Sequence, residues 1–265
     1  MGSIWSQTCS IGRRPPLRGH LKTQAAVVGA GMAGVLTAYA LQQAGLSVVV
    51  LEAGRIAGGQ TQNTTAKITS QHGLIYSRLI QSFGEETARR YAKANQDAVR
   101  AYQDLIDVQG ISCDWEERCA YLYGPDVTVL QEEAEAARRL GLPASFTREV
   151  SIPIPHDGAV CFEGQAQFHP LKFLKGLADQ LTIYEQSRVR TAEGDLLTTE
   201  LGSVQAEHIV FACHFPFVNF PGMYFARMHQ ERSYVLALQG APPVDGMFLG
   251  VGRDTFSLRT YGELL

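Results

Sequence analysis

No apolar run in the sequence approaches the roughly 18 residues needed to cross a bilayer as a helix, which excludes an integral membrane segment of that kind. Nor is there a surplus of positive charge. Lys and Arg number 23 against 26 Asp and Glu, a formal charge of −3. Without a basic stripe, nucleic acid is excluded as a partner. Cysteine is sparse and scattered: Cys9, Cys113, Cys119, Cys161 and Cys213. An odd count with no C-x-x-C excludes a disulfide framework and the close ligand pairs of a zinc site. Adjacent Cys213 and His214 read as a strand end beside a loop, so no metal is expected. The first twenty residues contain Trp5, Arg13, Arg14 and the turn pair Pro15-Pro16, but no apolar core of a signal peptide. A reducing cytoplasm is therefore expected. What remains is globular composition, 45% hydrophobic and 18% charged over 265 residues. That suits one large domain or two small ones. Glycine, at 26 residues, exceeds the roughly 7% average.

The glycines concentrate where they carry meaning. Gln24 to Val28 reads as a short buried strand, followed by Gly29-Ala30-Gly31-Met32-Ala33-Gly34, a complete G-x-G-x-x-G. A helix through Leu36, Ala40 and Leu41 then stops at Gly45. A second strand, Ser47 to Leu51, ends at Glu52, 23 residues after Gly29. This is the order and spacing of a dinucleotide-binding βαβ unit. Gly29 allows the tight turn out of the strand. Gly31 lets a pyrophosphate approach the backbone, and Gly34 lets helix and strand pack closely. The helix N-terminus offers free N–H groups to the phosphates. Glu52 can accept from a ribose diol, and its charge repels a 2′-phosphate, which disfavours NADP.

NAD and FAD both fit that unit. Beyond Ala53 the sequence runs from Arg55 to Lys67 through Gly59, Gln60, Thr61, Thr64, Thr65 and Ala66. A polar loop of this length is uncommon and often functional. Its hydroxyl residues suit a second stretch of an extended cofactor. An NAD-dependent dehydrogenase is the rival reading, favoured if this loop touches no cofactor.

Gly29 to Gly73, with Glu52 and the run GGQTQNTTAKITSQHG, resembles the FAD-dependent oxidoreductases of the D-amino-acid oxidase superfamily. So do QAQFHPLKFLKGLA and HFPFVNFPGMYFARMHQERSYVLAL. Within the superfamily the chain is most similar to the bacterial glycine/sarcosine-oxidase-like and gamma-glutamylputrescine-oxidase-like branch. The resemblance implies an α/β fold, a Rossmann-like FAD-binding domain interleaved with a β-sheet substrate domain. It implies FAD as cofactor and oxidation of a C–H bond next to the nitrogen of a small amine or amino acid. It also implies that Val189 meets the adenosine side of FAD and that Ala212 approaches the cofactor. The corresponding divisions are residues 22–110 and 164–214 for FAD, and 111–163 and 215–265 for substrate. Members then return to the nucleotide domain through a Gly-rich segment that covers the flavin. This chain stops at Leu265, about where that return begins, so an open sheet edge and exposed apolar surface are expected. Some relatives append a Rieske domain, whose C-x-H and C-x-x-H patterns do not occur here. An inactive flavoprotein fragment serving as a binding module is thus a third reading.

Helices are expected over 72–83 and 85–109, the second ended by Gly110. Cys119 to Tyr123 reads as a strand. Asp126 caps a helix to Leu140, and Pro170 opens another. Three strands follow, at about 182–190, 196–200 and 204–213. From Phe215 the aromatics Phe217, Phe220, Tyr224 and Phe225 read mostly as core of a substrate-side sheet. Arg227, His229, Arg232 and Tyr234 lie on strand-like sequence, where an Arg would suit a substrate carboxylate. No nucleophile–base set is visible. Lys67 is the catalytic candidate, a cation placed to stabilise reduced flavin, with His72 and His169 behind it. A homo-oligomer is compatible with the sequence.

Overall fold

The computed structural model describes residues 2–252 and 255–265. The chain divides into two compact units, 1–64 with 170–235 and 65–169 with 236–265. In chain order the first unit opens with α1 (Ile4–Thr8), β1 (Gly19–Val28), α2 (Met32–Gln43) and β2 (Val48–Leu51). The second unit follows with β3 (Lys67–Ile68), α3 (Tyr76–Gln109), β4 (Glu116–Gly124), α4 (Val127–Arg139), β5 (Ala144–Thr147) and β6 (Gly158–Gln167). The chain returns to the first unit through α5 (Pro170–Ala178), β7 (Ile183–Tyr184), β8 (Thr191–Glu193), β9 (Leu196–Thr198) and β10 (Gly202–Phe211). It ends in the second with β11 (Met247–Gly250) and β12 (Ser257–Arg259). Among the described residues no helix is long and apolar enough to cross a membrane.

The first unit holds a six-stranded sheet in the order β7-β2-β1-β10-β9-β8. Strand β1 pairs in parallel with both β2 and β10, so β1-α2-β2 is the expected βαβ crossover. Ala26, Val28, Val49 and Leu51 form a core with Val189, Leu197 and Val204. The expected single strand at 182–190 is cut short. After β7, Gln186 takes φ +50, and the amides of Gln186 and Ser187 turn to Gly54 O and Glu52 O.

The second unit holds the sheet β12-β11-β4-β6-β3, with β5 also on β6. Helices α3 and α4 cover it through Tyr76, Ala88, Ala92, Leu130 and Ala137, packed with Leu122, Val160 and Phe162. The two helices expected at 72–83 and 85–109 meet at Gly84, whose φ of +79 and ψ of 160 are non-helical values that glycine accepts, so α3 is two helical stretches broken there. It starts at Tyr76 rather than His72. Buried Glu133 accepts from the amides of Ile75, Tyr76 and Ser77 at 2.8, 2.7 and 3.0 Å, and so caps its first turn. Asp126 caps α4 as expected, accepting from Val129 N at 3.1 Å.

The unit boundaries fall at 64/65, 169/170 and 235/236 rather than at the expected 110, 163 and 214. Strand β3 pairs with β6, and α3 packs on the second sheet, so both follow their partners. The segment from Phe215 to Tyr234 contains no strand. Phe220 is 75% and Phe225 53% exposed, so the expected core aromatics there face solvent.

Candidate functional site

At the end of β1 the chain turns through Gly29, whose φ is +109. A Cβ there would lie 2.9 Å from Ala212 O, at the end of neighbouring β10. Ala212 N in turn donates to Val28 O at 2.9 Å. At Gly34 an added Cβ would sit 1.9 Å from Gly29 O, so this glycine sets the closeness of helix and loop. Gly31, with φ −82, needs no special backbone freedom. Its value is size: a Cβ would come 3.3 Å from Thr61 Oγ1 and fill the concavity at the helix start.

The first-turn amides of α2 have no intrahelical acceptors. Met32 N donates to Thr61 Oγ1 at 3.0 Å, which ties the polar loop to the helix N-terminus. Thr61→Val keeps the shape and removes that acceptor. It should cost about 1 kcal/mol and lower Tm by roughly 2–4 °C, read by thermal denaturation of the unliganded protein. An unchanged Tm would show that the bond contributes nothing.

Glu52 organises the opposite wall. Its Oε2 accepts from Ala30 N at 2.8 Å and its Oε1 from Gly54 N at 2.7 Å. A carboxylate has about four acceptor positions, so a half-buried Glu52 retains lone pairs for a ribose diol. The small cradle at Gly31, the orphan helix amides and this carboxylate together fit the diphosphate and ribose of a dinucleotide.

Other residues expected at the cofactor divide between surface and structural duty. Ala33, Ala53, Gly59 and Gln60 are exposed. Asn63 Nδ2 donates to Gly59 O at 3.0 Å, closing the 3₁₀ turn Gln60–Asn63. Thr64 O accepts from Trp5 Nε1 at 2.8 Å. Val189 is buried in the first core. Arg55 is engaged within the protein: it pairs with Glu185 and donates to Ile11 O at 2.7 Å. Glu185, 1% exposed, escaped sequence reasoning. It also accepts from Ile56 N at 2.8 Å and Arg14 N at 3.0 Å, and so holds the loop that leaves Glu52. A lone acid directly after the short strand Ile183–Tyr184 was its signal.

Thr65, Ala66 and Lys67 belong to the second unit. There Arg259 Nη1 donates to Thr65 O at 2.9 Å and Ala66 O at 2.8 Å. Lys67 Nζ donates to Phe248 O and to Ser257 Oγ, each at 2.7 Å. These side chains tie edge strand β12 to β3. Burial, then the Arg259 charge, lowers the Lys67 pKa to about 7. Arg259, itself lowered to about 10 by burial, was also missed. His72 Nε2 meets Asn95 Oδ1 at 3.1 Å, and His169 is buried edge-on to Tyr261. Arg227, His229, Arg232 and Tyr234 are exposed and lie on no strand, and His229 meets Glu231.

Fold and loop define a dinucleotide-binding α/β protein. Residues 24–262 match the family described as FAD dependent oxidoreductase, DAO. The chain belongs to this family of enzymes, and FAD is its cofactor; the NAD-dependent dehydrogenase reading is thereby corrected. The Bacillus subtilis (strain 168) protein named "Putative Rieske 2Fe-2S iron-sulfur protein YhfW" is 34% identical over 97% of this chain and 53% of its own length. Gamma-glutamylputrescine oxidoreductase of Escherichia coli (strain K12) is 26% identical over 70% of this chain and 47% of its own. The chain thus spans about half the length of these curated relatives. The structure of L-proline dehydrogenase from P. horikoshii shares the fold with a TM-score of 0.63. It is 16% identical, over 88% of this chain and 65% of that one.

Proposed function

We propose that the protein oxidises a C–H bond adjacent to the nitrogen of a small amine or amino acid. The carrying observation is the Gly29–Gly34 loop closed by Glu52 in a chain of the FAD-dependent oxidoreductase family. Relatives named for gamma-glutamylputrescine and L-proline chemistry support a substrate with an oxidisable C–N bond. When bound, FAD supplies the hydride acceptor, so the protein needs no nucleophile–base set of its own. Gly29, Ala30, Gly31, Met32, Ala33 and Gly34 receive the diphosphate. Glu52 holds the ribose, with Ala53, Gly59, Gln60 and Thr61 beside it. We assign the first unit to the cofactor and the second to the substrate side.

The test is direct. FAD is added to the purified chain, excess is removed and the visible spectrum recorded, followed by anaerobic addition of primary and secondary amines. Retained flavin that bleaches with an amine is the expected result. Glu52→Ala should weaken FAD retention at least tenfold, about 1.4 kcal/mol, since it removes the ribose acceptor and frees two loop amides. Retention of NAD without flavin would sink the proposal. Flavin that no amine bleaches would leave a binding module.

A further inference from the structure

A cavity of about 370 Å³ lies between α3 and the end of β6, wholly within the second unit. Its size falls in the range of small-molecule sites, roughly 300–1,000 Å³. Val99 and Arg100 line it from α3, and the half-buried Trp115 from the loop before β4. The wall at β6 is held firmly. Gly164 turns through φ +59, and fully buried Gln165 brackets the turn. Its Nε2 donates to Glu163 O at 2.9 Å and Gln96 Oε1 at 3.2 Å, and its Oε1 accepts from Ser70 N at 2.6 Å. Glu163 N donates to Pro143 O at 3.0 Å. The backbone of Glu163 is thus pinned, while its side chain stands exposed at the cavity. Glu117 lines the same cavity from β4. Among the described residues neither carboxylate has an ion-pair or side-chain hydrogen-bond partner. Arg100 contacts Asp97 instead, at 3.6 Å.

We propose that this cavity binds a planar organic cation, a guanidinium group stacked on the Trp115 indole and received by Glu117 and Glu163. An ionised carboxylate only accepts hydrogen bonds, so two of them call for a ligand rich in donors. The face of an indole attracts cations more strongly than any other side-chain ring. A guanidinium meets both demands, because its donor fork matches a carboxylate and its plane stacks on an aromatic ring. An ammonium is a point charge without such a plane. An apolar ligand would cover two carboxylates and give them no partner, which is costly. An anion would meet two negative groups against the single Arg100. The inference does not rest on flavin chemistry, since the guanidinium ion has no C–H bond to oxidise.

The experiment uses the full chain with FAD and follows the indole N–H resonances by 15N NMR. The sequence has two tryptophans, Trp5 and Trp115. Trp5 is buried in the first unit and donates to Thr64 O, so it serves as the internal reference. Guanidinium chloride is titrated at millimolar concentration and constant ionic strength, with urea as the neutral molecule of the same shape. The Trp115 resonance should shift saturably with guanidinium and not with urea, while Trp5 stays in place. Glu117→Gln and Glu163→Gln should each weaken binding at least fivefold. Glu207→Gln, an exposed position on β10 of the first unit, should leave it unchanged. No saturable shift at Trp115, an equal response to urea, or wild-type affinity in either cavity variant would overturn the proposal. The wild-type comparison of guanidinium with urea decides alone if a variant fails to fold.

Discussion

Gly34→Ala is expected to abolish FAD retention, with at least a hundredfold loss of affinity. The added Cβ would lie 1.9 Å from Gly29 O and 2.9 Å from Gly29 C, and both atoms are backbone. No rotamer change relieves such a contact. Helix α2 must move away from β1, and the Met32 to Thr61 bond and the Ala30 to Glu52 bond move with it. Overpacking of this kind typically costs 1–3 kcal/mol and occasionally more. The loss of aligned helix amides adds to the effect on the diphosphate. Gly31→Ala separates the two causes. Its Cβ meets only Thr61 Oγ1, at 3.3 Å, so the unliganded protein should melt within about 2 °C of wild type. FAD affinity should still fall, because the methyl occupies the concavity the pyrophosphate needs. Equilibrium FAD titration and thermal melts of both variants check the pair. Wild-type FAD affinity in Gly34→Ala would show that this loop does not hold the cofactor.

The parts of this protein legible in its sequence are those specified over short distances. The βαβ unit announces itself because its glycines, its β-branched strand Val48-Val49-Val50 and its terminal acid are all local requirements. Asp126 before α4 is equally local. Strand β6 is different. Gly158–Gln167 pairs with β4, β5 and β3, three partners that lie far apart in sequence, and nothing within its ten residues names them. The same holds for Glu133, which sits mid-helix in α4 yet caps α3, and reads locally as a solvated charge. Arg259 stands more than 190 residues from Thr65 O and Ala66 O, to which it donates. The aromatics after Phe215 misled for the opposite reason: composition suggested a core, but burial depends on what packs against them. At the candidate site, therefore, the residues of the glycine loop were readable. The residues that hold the loop rigid were not.

Glu185→Gln tests that distinction and should destabilise the first unit by about 3 kcal/mol, within the range for breaking a buried ionic contact. The carboxylate is 1% exposed and accepts from Ile56 N, Arg14 N and the Arg55 guanidinium. All its partners are donors. A glutamine places an NH₂ on one side, and whichever way the amide turns, a donor then faces a donor. Either Ile56 N loses its acceptor, or Arg14 N and Arg55 do. Arg55 is 39% exposed, so water recovers part of its share and the loss stays below the upper end of the range. The corresponding fall in Tm is roughly 6–12 °C. Because Ile56 and Arg55 follow Glu52 directly, the loop should also loosen, and FAD affinity should drop about tenfold although Glu185 touches no cofactor. Arg55→Ala should cost less, since Ile56 N and Arg14 N still satisfy the acid. A Tm within 2 °C of wild type in Glu185→Gln would mean that these hydrogen bonds contribute little, and that the loop after Glu52 is held by its own turn.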